Sequence, residues 1–300
     1  MCPIAHTPKF KLSKDHSFHT IGSCFAREVE IALTALGVSL AAADAVFPWA
    51  WFDPRMKSLP TNVAGEDVAQ TRQRSPLNRY SAHSMLYDIE RVLEKAHSFE
   101  QTVISVVGEY EVWDPQLKNL VYGDLAFTQT ARRVLDRAIA SVAAADVVIM
   151  TLGMTETWMD EQSAAILPTP PQPLQIKRFP DRFSFFNADY DSVSAALRAT
   201  INKIARHNAK DPWIILTVSP VPMGSTFTAK DVIVANSYSK ATLVSAAQSV
   251  AAAYPKVDYF PSYEMIVNSS RDIWFPDAIH IRPEYVAEVM KSFLGSYLDT

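Results

Sequence analysis

Two short apolar runs constrain the fold of this chain more than any other feature. Residues 146–151 and residues 213–218 are apolar at nearly every position. Strands that are apolar on both faces are typical of a parallel sheet that helices cover on each side. Helical patterns separate these runs from the other predicted strands. This alternation of strands and helices predicts an α/β fold.

The remaining periodicity divides the chain into further strands, helices and two loop-rich insertions. Additional strands are predicted at 16–23, within 109–123 and at 257–260. Apolar residues at helical spacing predict helices at 24–36, 85–97, 128–144, 191–207, 237–253 and 284–297. Irregular insertions are expected at about 41–82 and 166–183. We predict one domain over residues 1–300, a three-layer α/β/α sandwich with a parallel sheet and long loop insertions.

Composition excludes several classes of protein. The net charge is −4, so there is no basic excess to neutralise a nucleic acid. The eight glycines lie too far apart for a dinucleotide-binding motif or a P-loop, and the G-x-S-x-G elbow is absent. The two cysteines form no C-x-x-C pair, and no His, Cys or carboxylate cluster has metal-ligand spacing. We expect no nucleic-acid partner, no metal and no bound cofactor.

The sequence also bears on the compartment. The N-terminal residues contain no apolar stretch of signal-peptide length. The most apolar stretch, residues 138–154, is interrupted by Asp146 and is too short to cross a bilayer. We expect a cytoplasmic protein without membrane insertion, and the sequence leaves its oligomeric state open.

The turn after the first predicted strand holds a serine in a position suited to nucleophilic chemistry. Ser23 follows Gly22 at the end of the strand and opens the predicted helix 24–36. Backbone N–H groups at a helix N-terminus attract negative charge, so the N–H of Cys24 is a candidate oxyanion donor. The alternative is that Ser23 is an ordinary N-cap. Cys24 is a rival nucleophile, since a helix N-terminus can lower the pKa of a thiol.

An aspartate and a histidine lie three residues apart just before the last predicted helix. The Asp277 carboxylate can fix the tautomer of His280, whose second ring nitrogen then acts as a base. The alternative is a capping aspartate beside an exposed histidine. His16 and His19 have similar spacing but would point to opposite faces of a strand, which does not suit chelation. His83 is interpreted as a structural histidine.

The order of these residues resembles a known group of enzymes. A serine after the first strand, with Asp277 and His280 before the last helix, is similar to the SGNH (GDSL-type) hydrolases. Residues 22–26 read G-S-C-F-A, the signature of the GSCFA family, a bacterial group that resembles a branch of these hydrolases. Further similar segments follow at 151–153, 217–221, 236–243, 260–264 and 271–280. The resemblance implies an SGNH-like fold and an acyl-serine intermediate, with Ser23 as nucleophile, His280 as base and Asp277 as its orienting partner.

The resemblance also implies an oxyanion hole, and here this chain departs from the pattern. The related hydrolases have a G-x-N-D block, whereas this chain has Gly153, Met, Thr155 and Glu156 in sequence. A threonine hydroxyl thus replaces the asparagine amide, and the loss of one oxyanion donor costs about 10²–10³ in turnover. Thr155 is one candidate substitute. Asn78 and Asn236 are two others, each reaching in from a loop.

Two charged residues near the predicted strand ends have alternative roles. Glu156 is expected either to bind sugar hydroxyls or to pair with an arginine from a loop. Lys240 shares a helical face with Asn236. If that face points at the cleft, Lys240 provides a positive charge for an anionic substrate or a CoA phosphate, and otherwise it is solvated. Tryptophans near the strand ends are candidate stacking platforms for sugar rings, although core packing is their commoner role.

Three functions are therefore carried forward. The first is a serine-dependent ester hydrolase that removes an acetyl or similar group from a carbohydrate, with a small-molecule or polysaccharide ester as substrate. The second is a carbohydrate O-acyltransferase with the same triad, for which acetyl-CoA would be a donor. The third is a catalytically silent carbohydrate-binding protein, which the replaced asparagine favours.

Overall fold

The structure is a computed structural model that describes residues 1–43, 45–53, 75–107, 111–278 and 281–298. Its strands are β1 (Phe18–Gly22), β2 (Ile104–Val107), β3 (Glu111–Trp113), β4 (Val147–Leu152), β5 (Glu156–Asp160), β6 (Ala165–Leu167), β7 (Phe183–Asn187), β8 (Trp213–Val218) and β9 (Val257–Phe260). Its α-helices are α1 (Cys24–Ala35), α2 (Ala82–Leu93), α3 (Phe99–Thr102), α4 (Leu125–Ala140), α5 (Pro173–Arg178), α6 (Tyr190–His207), α7 (Val232–Ala253), α8 (Ser262–Val267) and α9 (Pro283–Tyr297). Short 3₁₀ turns lie at Trp49–Trp51, Ser141–Ala144 and Arg271–Ile273.

The central sheet has four parallel strands in the order β1-β4-β8-β9. On the other side of β1, Leu40 forms a single parallel bridge to Phe18. The chain therefore passes to one side of β1 before it returns to form β4 on the other side. In open α/β sheets such a reversal of strand order creates a crevice at the carboxyl ends of the strands. Here that crevice lies where β1 and β4 end.

Alternate residues of the sheet pack against two separate helical layers. In β4, Val148, Met150 and Leu152 belong to one apolar cluster, which includes residues of α2, α4, α6 and α7. Val147 and Ile149 belong to a second cluster, with residues of α1, α8 and α9. Because a strand points successive side chains to opposite faces, an uninterrupted apolar run is what this sandwich requires. The predicted parallel sheet with helices on both faces is confirmed.

Several predicted bounds differ from the structure. β8 and β9 have their predicted bounds, whereas α2 begins at Ala82 and α7 at Val232, before their predicted starts. The two strands expected within 109–123 are instead β2 and β3, which both precede Asp114 and pair antiparallel. In the 41–82 insertion, residues 44 and 54–74 lie outside the described residues.

A second sheet is absent from the predictions altogether. Strands β6, β5 and β7 form an antiparallel sheet of three strands within residues 156–187. The insertion predicted as irregular at 166–183 therefore contains the end of β6 and the short helix α5. This sheet follows directly from β4 and forms one wall beside the crevice.

Among the described helices, none combines the length and the hydrophobicity that a membrane span requires.

The approach of β1 to β4 is close enough to require a glycine. Gly22 has a φ of +151°, and a Cβ at this position would lie 2.4 Å from the carbonyl oxygen of Thr151. A side chain there would be strained by both the backbone conformation and the contact. The next residue, Ser23, donates its backbone N–H to the same Thr151 oxygen at 3.0 Å. Gly22 thus allows β1 to end tightly against β4.

Candidate active site

Ser23 lies at the junction of β1 and α1, as the sequence predicts. It is the N-cap residue of α1 with extended backbone angles, but its side chain makes no capping hydrogen bond. The side chain is 1% exposed, and its Oγ has no hydrogen-bond partner among the described residues. A buried hydroxyl without a partner costs free energy, so it is uncommon in a residue with a purely structural role. The ordinary N-cap alternative does not explain this side chain.

A short segment, residues 75–81, lies across the ends of β1 and β4 beside Ser23. The N–H of Arg79 donates to the Gly22 carbonyl at 2.7 Å, and Asn78 forms a parallel bridge with Gly22. The Tyr80 carbonyl accepts from the N–H of Gly153 at 2.8 Å. A Cβ on Gly153 would lie 3.0 Å from that carbonyl and 3.3 Å from the Ser23 Cβ. The segment therefore brings Asn78, Tyr80 and Gly153 close to Ser23.

A cavity of about 280 Å³ opens next to these residues. Its lining includes Cys24, the next residue after Ser23, and Tyr80, which lies with Ser23 around Gly153. Its walls come from the second sheet, from residues 221–227 and from the turn after β3, and they include Met154, Trp158, Phe227 and Lys118. The ring of Trp158 packs edge-to-face against Phe227, with centroids 5.0 Å apart. The cavity is thus largely apolar, with a few polar groups close to Ser23.

Cys24 is a poorer nucleophile than its helix position predicts. Burial raises the pKa of its thiol, and this effect outweighs the nearby ammonium groups of Lys118 and Lys240. Burial likewise raises the pKa of the neighbouring Tyr80 hydroxyl. The expectation that the α1 N-terminus lowers the Cys24 pKa is therefore wrong. A neutral thiol favours Ser23 over Cys24 as the reactive group.

The three candidates for the missing oxyanion donor have different surroundings. The Thr155 hydroxyl donates to Asn187 Oδ1 at 2.6 Å, so its proton is already committed. Asn236 Oδ1 accepts from the N–H of Met223 at 3.0 Å, so this side chain holds the loop after β8. Asn78 is 2% exposed and lies directly beside Gly22. Of the three, only Asn78 has its backbone paired to the residue that precedes Ser23.

Glu156 lines the cavity, and both of its carboxylate oxygens accept hydrogen bonds from the loop after β8. One carboxylate oxygen accepts from the Thr226 hydroxyl, and the other accepts from the N–H of Phe227 at 2.9 Å. Among the described residues no arginine pairs with it, and its alternative role, binding of sugar hydroxyls, stays a prediction. The carboxylate instead fixes the loop that carries Phe227 into the cavity wall.

Lys240 is neither solvated nor pointing into the cleft. Its side chain is 1% exposed, and its Nζ donates to the carbonyl oxygens of Gly153 and Ser219, each at 2.8 Å. These carbonyls follow the ends of β4 and β8. Burial lowers the pKa of Lys240 to about 7. Both predicted alternatives for Lys240 are therefore wrong, and it ties two strand ends together beneath the site.

The buried Lys240 gives a testable pH dependence. The native pKa lies below the ordinary value of 10.5, so between about pH 7 and 10.5 the unfolded chain binds a proton that the native protein has released. The wild type is expected to gain stability relative to Lys240→Met as the pH rises through this window, by up to about 1.4 kcal/mol per pH unit. Urea unfolding at a series of pH values measures this difference.

The exposed Lys230 provides the control for this measurement. Lys230→Met removes a lysine that lies at the surface, so its stability difference from wild type should be flat over the same window. A Lys240→Met difference that is equally flat would contradict a neutral, buried amine at this position.

The predicted base and its partner are placed only in part. Asp277 is exposed in a loop whose two ends pair through an antiparallel bridge between Trp274 and Ile281. Ile281 belongs to the same apolar cluster as Phe25, two residues after Ser23. The C-terminal end of this loop therefore packs in the helical layer that contains α1. His280 lies outside the described residues, so the Ser23–His280–Asp277 triad stays a prediction.

The other histidines have structural surroundings. His83 Nε2 lies 2.9 Å from the hydroxyl of Ser192, and burial lowers its pKa. His19 is buried against the hydroxyl of Ser141 at 3.0 Å, and burial lowers its pKa to about 3. Both rings are therefore neutral at neutral pH. In the part of the chain that the structure describes, no three His, Cys, Asp or Glu residues are placed to hold a metal ion.

The cavity-lining residues that the sequence analysis missed include an aromatic and a charged side chain close to Ser23. Tyr80 and Lys118 both line the cavity, and the Lys118 Nζ lies 4.9 Å from the centroid of the Tyr80 ring. Neither residue belongs to a recognisable motif. Tyr80 and Lys118 reach the cavity because their loops fold back across the sheet, and no local periodicity in the sequence predicts the path of those loops.

Similarity to known proteins identifies the family of this chain. The search of curated proteins gives no match. The family model described as the GSCFA family matches residues 17–293, which include β1, the Ser23 turn, the second sheet and most of α9. This match covers far more than half of the chain. The chain belongs to the GSCFA family.

Proposed function

We propose that this protein is a serine-dependent ester hydrolase of SGNH type that removes an acetyl or similar acyl group from a carbohydrate. The observation that carries the proposal is the buried Oγ of Ser23, which has no partner among the described residues. It lies at the N-terminus of α1, where no acidic side chain occupies the first turn. A hydroxyl near the positive end of a helix is suited to attack on a carbonyl, because the tetrahedral intermediate that forms carries negative charge.

The chemistry requires a base and an oxyanion site. His280 would take the Ser23 proton as Oγ attacks the ester carbonyl, and Asp277 would hold the imidazole in the right tautomer. The Cys24 N–H, for which the described residues provide no acceptor, and the Asn78 amide would stabilise the oxyanion. The protonated His280 would then give its proton to the departing sugar oxygen. Water, deprotonated by His280, would attack the acyl carbonyl; the bond from Oγ to the acyl group would break, and His280 would return the proton to the Ser23 Oγ.

The cavity supports a carbohydrate ester as the substrate class. Trp158 and the exposed Phe227 form an aromatic wall, and such rings stack against the apolar faces of sugars. Membership of the GSCFA family is in keeping with hydrolase-like chemistry.

A fluorophosphonate probe tests the nucleophile directly. We expect labelling of the wild type at Ser23 by peptide mapping, and loss of labelling in Ser23→Ala. His280→Ala should react at least about 10²-fold more slowly, because the base contributes at least that much. Ser225→Ala is the matched control, since Ser225 lines the cavity beside Ser23 but lies at the surface. It should be labelled at the wild-type rate.

The remaining outcomes separate the alternative functions. Folded wild-type protein that stays unlabelled at Ser23 would contradict the proposal and favour a silent carbohydrate-binding role. If Ser23 is labelled, aryl acetates offered with water alone or with a sugar acceptor distinguish hydrolysis from acyl transfer. Consumption of acetyl-CoA only in the presence of the sugar would replace the hydrolase by the O-acyltransferase.

A further inference from the structure

Among the described residues that line the cavity, Lys118 carries a charge that the site described above does not use. It lies on the turn between β3 and α4 and lines the cavity together with Cys24 and Tyr80. Its ammonium lies over the Tyr80 ring, 4.9 Å from the centroid. No carboxylate lies within ion-pair distance of it among the described residues. The nearby Arg79, in contrast, is paired with the buried Asp88.

The turn that carries Lys118 is held firmly. Asp114, just before it, is 3% exposed and accepts from Arg132 Nε at 2.7 Å and from the Gln116 N–H at 2.9 Å. The Gln116 side chain donates to the Ile166 carbonyl at 2.8 Å, which ties the turn to the second sheet. Lys118 therefore starts from a fixed backbone position at the cavity wall, unlike a lysine on a loose surface loop.

The other charged groups around the cavity, in the part of the chain that the structure describes, provide no counter-ion for Lys118. Glu156 is the carboxylate that lines the same cavity, and its two oxygens accept from Thr226 and from the Phe227 N–H. The Cys24 thiol is neutral, because burial raises its pKa. Burial also lowers the pKa of Lys118, as expected for a cation that lacks a partner. A negatively charged ligand would satisfy this ammonium.

We propose that Lys118 is the counter-ion for a carboxylate or phosphate that the substrate itself carries close to its ester. The inference rests on the proposed function and narrows its substrate to an acylated acidic carbohydrate. A charge-assisted hydrogen bond to that group would fix the orientation of the sugar, with its ester toward Ser23 and its apolar face toward Trp158 and Phe227. Lys118 is then a specificity-determining residue that leaves the bond-making steps to other groups.

Two esters that differ in charge test this role by turnover. The substrates are 4-acetoxybenzoate and its neutral methyl ester, compared by kcat/KM in wild type, Lys118→Met and Lys118→Arg. We expect Lys118→Met to lower the anionic-to-neutral ratio about 10- to 100-fold, the value of one charge-assisted hydrogen bond. Lys118→Arg should keep much of the wild-type preference. Lys230→Met removes a surface lysine and should leave the ratio unchanged.

Other results of the ester comparison overturn the proposal. An equal loss on both esters would mean that Lys118 stabilises the oxyanion or the fold, because neither effect depends on the charge of the substrate. An unchanged ratio in Lys118→Met would mean that the ammonium does not contact the charged group.

A binding experiment separates failure of this proposal from failure of the proposed function. Saturation-transfer NMR compares glucose, glucuronate and glucose 6-phosphate on Ser23→Ala and on Ser23→Ala combined with Lys118→Met. Preference for a charged sugar that disappears with Lys118 would support the proposal even if no ester is hydrolysed. The sugar that loses binding distinguishes a carboxylate from a phosphate. Equal binding of all three sugars to both variants would overturn it.

Discussion

Replacing Asp88 with alanine is expected to lower the free energy of unfolding by about 3–5 kcal/mol, because removal of one partner leaves buried charge uncompensated. Asp88 is fully buried on α2. It accepts a hydrogen bond from Arg79 and another from Arg91 Nη2 at 2.9 Å. Both guanidinium groups would lose their shared carboxylate in an environment without water. Urea unfolding of wild type and variant measures the loss.

Asp136 provides the matched control for Asp88. It also pairs with Arg91, but its side chain is 40% exposed. Exposed ion pairs contribute little, so Asp136→Ala is expected to cost about 1 kcal/mol or less. If the two variants lost the same stability, the buried arginines would have found water or other acceptors, and the argument from burial would be wrong.

The Asp88 contribution should also depend on pH. Burial alone would raise the pKa of Asp88. The guanidinium groups of Arg79 and Arg91 lower it by more than burial raises it, so the pKa lies below the ordinary value. The native carboxylate thus stays charged at a pH where the unfolded chain is protonated. Its stabilisation is present above about pH 4 and is lost as the pH falls through the native pKa. The difference between wild type and Asp88→Ala should therefore be constant at neutral pH and shrink in acid.

Asp88 bears on the site because Arg79 holds the segment beside Ser23. Arg79 Nη1 donates to the carbonyl oxygens of Pro76 at 2.7 Å and Asn78 at 3.1 Å. The guanidinium therefore sets the path of residues 75–81 across the strand ends. Arg79 therefore links the buried charge network of Asp88 to the position of Asn78.

The parallel sheet could be predicted because its strands are locally unambiguous. The run of β8 is buried along almost its whole length, so an uninterrupted apolar sequence specifies it. The start of α7 could not be predicted in the same way. Its first turns expose Ile233 and Val234, which are 74% and 52% accessible, so apolar residues there do not mark the buried face. The N-cap Asp231, whose side chain accepts from the Ile233 N–H, was the available signal.

The second sheet was missed because its strands lack a local signature. The side chains of β7 are half-buried at every position, so there is no alternation of buried and exposed residues for a pattern to detect. Prolines between β6 and α5 also favoured a loop. The pairing of β5 with β7 joins residues that are 23 to 31 positions apart in the sequence, and only the folded chain specifies it.

The site was predictable where a residue follows directly from its strand. Ser23 and Gly153 follow β1 and β4, and the parallel sheet brings those ends together. The sequence could not specify the partners that polar side chains choose. Thr155 donates a hydrogen bond to Asn187, and Lys240 donates to two backbone carbonyls, although both residues were candidates for substrate contacts. Such choices depend on which acceptors the fold leaves nearby.

Asn78→Ala is expected to slow the reaction of Ser23 about 10²–10³-fold, the usual cost of losing one oxyanion donor. The rate constant for fluorophosphonate labelling and kcat for an aryl acetate should fall together, because both reactions develop negative charge on an oxygen bound to the attacked atom. Asn78 is buried beside Gly22, so thermal unfolding must show that the variant is folded at the assay temperature. Asn78→Asp keeps the size of the side chain and should slow the reaction at least as much, since a carboxylate repels the oxyanion.

Asn236→Ala is the matched comparison, because both asparagines are candidates for the same role. Asn236 uses its oxygen to hold the Met223 N–H, so its loss should loosen the cavity wall and change the rate less than about tenfold. A folded Asn78→Ala that reacts at the wild-type rate, with a slow Asn236→Ala, would place the donor on α7. If neither variant were slowed, the N-terminus of α1 would be stabilising the oxyanion without an amide side chain. The replacement of the G-x-N-D asparagine by Thr155 would then carry no catalytic cost in this protein.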